Sequence, residues 1–245
     1  MKKFGLIGFP LSHSFSQKYF SEKFKRENIA DCVYENFSIS SISELDVILS
    51  NNPELLGLNV TIPYKRAVID YLDNPVNTLP IKACNCIKIK NGKLTGYNTD
   101  IIGFRKSLLT HLQPIHKNAL ILGNGGATEA VKYVLAGLNI DFSIVSRKRQ
   151  NDATYTYEDL SKEIIQKNLL IVNATPVGMF PHVDECPKIN YEFLTERHYL
   201  FDLIYNPAET LFLKKGKERG ATIKNGYEML VIQAEESWRI WNEMN

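Results

Sequence analysis

The stretch NVTIPYK, residues 59–65, closes an apolar run of Leu55, Leu56, Leu58, Val60 and Ile62 with a proline and then a lysine. The run predicts a strand entering a buried sheet, and Pro63 suits the first turn of a helix because its φ is fixed. Asn59, Thr61 and Lys65 therefore fall at a strand-to-helix junction, where α/β proteins gather ligand-binding groups. A lysine there is either a solvated surface charge or a proton donor to an oxygen that turns negative during a reaction. Other groups with chemical reach lie at similar junctions: Ser14 and Ser16 after the first apolar stretch, and Asp100 at the head of a helical pattern. Asn85 lies on a strand. Each has a plain structural alternative, since serine caps helices, aspartate suits the positive end of a helix dipole, and asparagine satisfies hairpin backbone groups.

A second set of residues suits a phosphate. Gly123, Asn124, Gly125, Gly126 and Ala127 follow the apolar stretch 119–122 and precede a helical pattern. Glycine lets the backbone turn tightly and approach a pyrophosphate, while the helix N-terminus offers N–H groups to the anion. A glycine-rich turn that binds nothing is the alternative; the strand–loop–helix–strand context favours dinucleotide binding. An NAD site would carry Asp or Glu about 20 residues on, at the end of the next strand, for the ribose 2′-hydroxyl. Here that strand, FSIVSRKRQ, ends in Ser146, Arg147, Lys148 and Arg149. Cationic side chains attract a 2′-phosphate that a carboxylate would repel. The expectation is NADP, with Arg147 foremost, against the alternative of a solvated basic loop.

These groups need a frame. The chain has 245 residues, 44% hydrophobic and 23% charged, with a net charge of +2. That is room for one large or two modest domains and no polyanion-binding surface, so no nucleic-acid partner is expected. No apolar run reaches the roughly 18–20 residues that span a bilayer, and the N-terminal apolar stretch is too short and interrupted for a secretion signal. Cys32, Cys84, Cys86 and Cys186 lack metal-ligand spacing, so reduced, buried thiols and a cytoplasmic protein are expected.

Strand and helix patterns alternate, which predicts an α/β fold with largely parallel sheets. KKFGLIG reads as a strand, 16–28 as a helix, 33–39 as a strand, and Ser41 with Glu44 as a capping box. PYKRAVIDYL, residues 63–72, reads as an amphipathic helix. Asn91 and Gly92 mark a hairpin, with Asn85 facing away from Cys84 and Cys86. A long helix is expected from Asn98 to Leu112. After 119, strands are expected in FSIVSR, LLIVNATP and YLFDLIYNP, and helices in YEDLSKEIIQ and AETLFLKKGKER. The last helix carries Leu230, Ala234, Trp238 and Trp241 on an apolar face. The result is two α/β lobes joined near 98–105, the final helix returning to the first.

The segments HSFS (13–16), NVTIPYK (59–65), ACNCI (83–87), GYNTD (96–100), GNGGAT (123–128), NATPVGM (173–179), FDLIYNP (201–207) and NGYEMLVIQA (225–234) occur in order along almost the whole chain. This series resembles that of the shikimate dehydrogenases. The resemblance implies an N-terminal substrate-binding and catalytic domain (1–100, completed by the helix 226–245) and a Rossmann-like NADP-binding domain (101–225). It also implies NADPH-dependent, reversible reduction of 3-dehydroshikimate to shikimate, by a monomer or homodimer with no membrane partner.

By position, Lys65 and Asp100 match the catalytic pair, and Ser14 and Ser16 the pair that holds the substrate carboxylate. Thr61, Asn85, Tyr205 and Gln233 match further substrate positions. Gly123, Asn124, Gly125, Gly126, Ala127, Ser146, Arg147 and Lys148 match the cofactor half, with Thr175, Leu203 and Gly226 on its nicotinamide side. The chain departs from the family's pattern in Ser146-Arg147-Lys148 for the frequent Asn-Arg-Thr, in Gln17 for a proline and in Cys86 for a threonine. It is also short for the family. The alternatives are a shikimate/quinate dehydrogenase of broader specificity and a non-catalytic sensor of shikimate-like ligands; retention of both Lys65 and Asp100 disfavours the sensor.

Overall fold

The computed structural model describes residues 1–11, 14–75, 81–149 and 153–243, so His13 of the HSFS segment lies outside the described residues. The chain divides into two compact units, Met1–Thr99 with Ala234–Asn245, and Asp100–Gln233.

The first unit is built on a five-stranded sheet of order β2-β1-β3-β4-β5. Its strands are β1 (Lys2–Gly8), β2 (Cys32–Ser38), β3 (Leu55–Val60), β4 (Cys86–Lys90) and β5 (Lys93–Tyr97). β1 runs parallel to both β2 and β3, and β4 and β5 form an antiparallel hairpin. Asn91 and Gly92 make that turn with φ of 53° and 73°, the conformation the Asn-Gly pair accepts.

The interior strand β1 is buried on both faces, as parallel strands are when both sides are covered. Ile7 packs with Leu45 and Ile48 of α2 (Leu45–Asn51). Phe4 and Leu6 pack on the other face with Phe20 and Phe24 of α1 (Phe15–Arg26) and Trp241. Phe4 and Trp241 stack at 4.9 Å between centroids, and the Trp241 indole donates to the Ile87 carbonyl at 3.0 Å. The C-terminal helix thus contributes Ala234 onwards to this unit.

The second unit holds a six-stranded sheet of order β11-β10-β9-β6-β7-β8, and its strand pairs are parallel. The strands are β6 (Asn118–Leu122), β7 (Asp141–Ser146), β8 (Tyr155–Thr156), β9 (Leu170–Asn173), β10 (Tyr199–Asp202) and β11 (Thr222–Lys224). From β6 the chain steps outward one way through β7 and β8, then crosses back to β9 and steps the other way. That reversal opens a crevice at the carboxyl ends of β6 and β9, the usual ligand position of such sheets. Apolar clusters cover both faces, one around Leu108, Ile121, Val131 and Phe201, the other around Leu122, Val145, Ile165 and Phe212.

Helices α3 (Asp100–Leu109), α4 (Gly126–Gly137), α5 (Lys162–Lys167), α6 (Leu211–Glu218) and α7 (Tyr227–Asn242) complete the chain. Among the described residues, no helix is long and apolar enough to cross a membrane, and no group of three His, Cys, Asp or Glu side chains could hold a metal.

Several expectations need correction. Residues 63–72 do not form an amphipathic α-helix; only Ala67–Tyr71 is helical, as a 3-10 turn. The Lys65 carbonyl accepts from the Cys84 N–H at 2.7 Å, and the Ile69 N–H goes to Arg66 instead. The 98–112 helix starts at Asp100, because the Thr99 N–H is taken by Asn85 Oδ1 at 2.6 Å. Residues 157–166 divide into a 3-10 turn and α5, since Asp159 folds back onto the Thr156 N–H and Ser161 caps the second piece. On α7, Met229 rather than Leu230 joins the core. All four cysteines are free, but only Cys84 and Cys86 are buried; Cys32 and Cys186 are half-buried.

Candidate functional site

In the first unit the candidate residues collect at the carboxyl ends of β1 and β3. The Thr61 N–H donates to the Ile7 carbonyl at 2.9 Å, tying the end of β3 to that of β1. Thr61 then turns the chain by accepting the Tyr64 N–H at 2.9 Å. Lys65 leaves this turn half-buried, with its main chain held by the 2.7 Å bond from Cys84 described above. Residues on either side anchor it: Tyr64 is buried, its hydroxyl on the Ile39 carbonyl at 2.7 Å, and Val68, in the 3-10 turn that follows, is in the core.

Asn85 is 3% exposed and follows Cys84 directly. Its Nδ2 donates to Thr99 Oγ1 at 3.0 Å, and its carbonyl accepts the Val60 N–H at 2.9 Å. The side chain therefore ties the start of β4 to Thr99, just beyond β5.

Ser14 is the N-cap residue of α1, yet its side chain makes no capping bond. Its Oγ is buried and has no hydrogen-bond partner among the described residues. Buried hydroxyls are ordinarily paired, so this one is either a penalty or an open position for a ligand oxygen. Ser16 lies beside Tyr34, whose phenol burial pushes well up against the opposing pull of the Ser16 hydroxyl. Gln17, in place of the family's proline, accepts from Asn36 Nδ2 at 2.9 Å and so ties α1 to β2.

In the second unit the glycine loop runs from β6 to α4. Gly123 has φ +106°, closed to ordinary side chains, and a Cβ there would meet Thr175 Cγ2 at 2.7 Å. The fold itself thus requires this glycine. Gly125 is different: its φ of −97° suits any residue, and nothing lies within 4 Å of where a Cβ would be. The fold does not require glycine at that point; a ligand that must come close to the backbone, such as a dinucleotide pyrophosphate, would. Thr128 organises the loop, accepting from the Gly125 N–H and donating to the Gly123 carbonyl, each at 3.1 Å. Asn124, Gly126 and Ala127 are half-buried around it.

Beyond β7, Arg147 and Lys148 are exposed and lack an ion-pair partner among the described residues, while Ser146 Oγ donates to the Lys148 carbonyl. Arg149 is engaged by Asp159 at 2.9 Å. Backbone and side-chain bonds from Thr156, with Arg149, hold that carboxyl down at about 2. Of the basic cluster, Arg147 and Lys148 remain for a 2′-phosphate.

The rest of this half gathers at the ends of β9 and β10. Thr175 Oγ1 donates to Asn173 Oδ1 at 2.6 Å and accepts the Val177 N–H at 3.2 Å, shaping the turn after β9. The Leu203 N–H donates to the Asn173 carbonyl at 3.0 Å. Gly226 lies so close to the Leu203 main chain that a side chain there would collide with it. Tyr205 is half-buried, which raises its phenol pKa. Asp100 opens α3 and is buried, and Gln233, 7% exposed, donates Nε2 to the Leu230 carbonyl at 2.9 Å.

Sequence reading missed Asp202, which is fully buried at the end of β10. It accepts from Thr210 Oγ1 at 2.6 Å, the Ile204 N–H at 3.0 Å and Asn173 Nδ2 at 3.1 Å. Burial still pushes its carboxyl up to about 7. A lone carboxylate in the apolar stretch YLFDLI was the available signal.

Residues 6–87 match the family model for the shikimate dehydrogenase substrate binding domain. The chain is 40% identical over 255 residues to shikimate dehydrogenase (NADP(+)) of Clostridium beijerinckii, covering 99% of this chain and 93% of that one. It is 39% identical over 261 residues to the Methanococcus maripaludis enzyme of the same name, covering 98% and 91%. Its fold superposes with TM-score 0.87 on the Thermus thermophilus shikimate 5-dehydrogenase solved with NADP(H) and shikimate, at 28% identity, covering 100% of this chain and 94% of that chain.

Proposed function

From a chain that belongs to the shikimate dehydrogenase (NADP(+)) family, we infer an oxidoreductase that reduces 3-dehydroshikimate to shikimate, reversibly, in aromatic amino-acid biosynthesis. Family-wide likeness is joined by one local observation that carries the reading: Ser14 Oγ, buried at the head of α1 with no hydrogen-bond partner among the described residues. A substrate carboxylate would satisfy it, with Ser16 as second donor. NADPH supplies the hydride to the substrate carbonyl carbon when bound. Arg147 and Lys148 would hold its 2′-phosphate, the backbone around Gly125 its pyrophosphate, and Thr175, Leu203 and Gly226 the nicotinamide end.

The protein's own part is placement and one proton. As the carbonyl carbon is reduced, negative charge grows on its oxygen, and Lys65 Nζ donates a proton there; in reverse it accepts the hydroxyl proton. Asp100 is assigned as the second catalytic group, because with Lys65 it matches the family's catalytic pair. Thr61, Asn85, Tyr205 and Gln233 orient the remaining substrate groups. Residues 1–100 and the C-terminal segment 226–245 are assigned chiefly to substrate and 101–225 chiefly to cofactor, with Tyr205 and Gly226 the exceptions. We place the enzyme in the cytoplasm, as a monomer or homodimer, in keeping with biosynthetic relatives.

The test is the absorbance of NADPH with 3-dehydroshikimate, alongside NADH and, in the oxidative direction, shikimate and quinate. Fast NADPH loss with 3-dehydroshikimate, and NADP⁺ reduction by shikimate well above that by quinate, is the expected result. Equal turnover of quinate would give the broader dehydrogenase, and binding of shikimate without turnover would give the sensor.

A further inference from the structure

Asn98, two residues before Asp100, is 7% exposed. Its Nδ2 donates to the Ala83 carbonyl at 2.9 Å. The N–H of that same peptide group, belonging to Cys84, donates to the Lys65 carbonyl at 2.7 Å. One peptide unit is therefore held between the Asn98 amide and the main chain of Lys65, and hydrogen bonds in series polarise and strengthen one another. Lys65 needs this outside support. Its carbonyl is not bonded within a helix, because the Ile69 N–H goes to Arg66 at 3.2 Å.

The other end of the amide carries a penalty. Asn98 Oδ1 is buried with no hydrogen-bond partner among the described residues. Leaving a buried acceptor unpaired sacrifices much of what the Nδ2 bond contributes, so stability alone gives little reason for asparagine here. A residue that breaks a local rule in this way points to a functional constraint.

We propose that Asn98 is a positioning residue, which clamps the Ala83–Cys84 peptide and through it fixes the main chain from which Lys65 reaches the substrate. The proposal rests on the reading of Lys65 as proton donor, and a double-mutant cycle separates the two. Asn98→Leu removes both the donor and the orphaned acceptor. It should lower kcat roughly 10- to 100-fold, the scale of a displaced catalytic group, with the Kd for shikimate within about twofold of wild type, because Ser14 and Ser16 are untouched.

Lys65→Ala alone should lose roughly 10²- to 10⁴-fold, and adding Asn98→Leu to it should cost nothing further. If Asn98→Leu slows the Lys65→Ala enzyme by the same factor as wild type, or leaves wild-type kcat unchanged, the positioning role is wrong. If Lys65→Ala itself keeps normal kcat, it is the proton-donor reading that fails. Should Asn98→Leu not fold, Asn98→Ala enters the same cycle, with the same expected and overturning results, each variant first checked as folded by thermal unfolding.

Discussion

Gly123→Ala and Gly125→Ala should fail in opposite ways, because the fold requires one glycine and the cofactor the other. At position 123 the backbone has φ +106° and a Cβ would sit 2.7 Å from Thr175 Cγ2. That methyl cannot swing aside freely, since Thr175 Oγ1 is held by Asn173 Oδ1 at 2.6 Å. A side chain at such a φ costs about 1–3 kcal/mol, and overpacking adds to it, for a loss of about 2–4 kcal/mol. With roughly 2–4 °C of Tm per kcal/mol in a chain of this size, Gly123→Ala should melt roughly 5–15 °C lower.

At position 125 the backbone is open to any residue, and no atom lies within 4 Å of the new Cβ. The Thr128 bond to the Gly125 N–H survives the change. Weaker capping by alanine, a few tenths to about 1 kcal/mol, is offset by about 0.4–1 kcal/mol of lost unfolded-state entropy. Tm should therefore stay within about 2 °C. A methyl standing where the pyrophosphate approaches should disrupt at least one charged hydrogen bond, worth about 1.5–3 kcal/mol, or roughly 10- to 100-fold in NADPH Kd. Fluorescence titration of NADPH beside thermal unfolding reads both quantities. Wild-type NADPH affinity in Gly125→Ala would refute the placement of the phosphate, and an unshifted Tm in Gly123→Ala would refute the strain argument.

Ser14→Ala should raise KM for shikimate roughly 10- to 100-fold with little change in kcat and no loss of Tm, because its Oγ has no partner to lose among the described residues; an unchanged KM would put the carboxylate elsewhere. Arg147→Ala should weaken NADPH by about 1.5–3 kcal/mol and leave NADH unaffected, and Arg149→Ala should do less, since Asp159 already engages that guanidinium; equal loss of both cofactors would make Arg147 structural. Burial holds His116 and His198 below the ordinary imidazole value, so on acidification the unfolded chain takes up their protons first. Their contribution is full above about pH 6.5 and is lost as pH falls through their folded values; a Tm–pH slope that stays as steep in the His116→Gln/His198→Gln double variant would refute it.

What the sequence reveals here depends on how local each physical cause is. The glycine loop is legible because its turn, its helix N-terminus and its neighbouring strands obey short-range rules, and Asn91-Gly92 announces its hairpin for the same reason. The helix expected at 63–72 fails because Lys65's carbonyl goes to Cys84, a partner far along the chain that no window around Lys65 contains. Arg149 reads as part of a phosphate-binding cluster until Asp159, on the next turn of structure, engages it. Asn98 and Asp202 escape notice because asparagine and aspartate gain their meaning only when every surrounding donor and acceptor is assigned.

That assignment also separates Ser14 from the others. As a type, a serine before a helix suggests a cap, and the structure gives it the N-cap position without the capping bond. Asn85, by contrast, combines a proposed substrate role with a structural bond. Removal of Asn85 would therefore disturb hairpin and substrate at once, whereas Ser14 offers the cleaner probe of the substrate carboxylate.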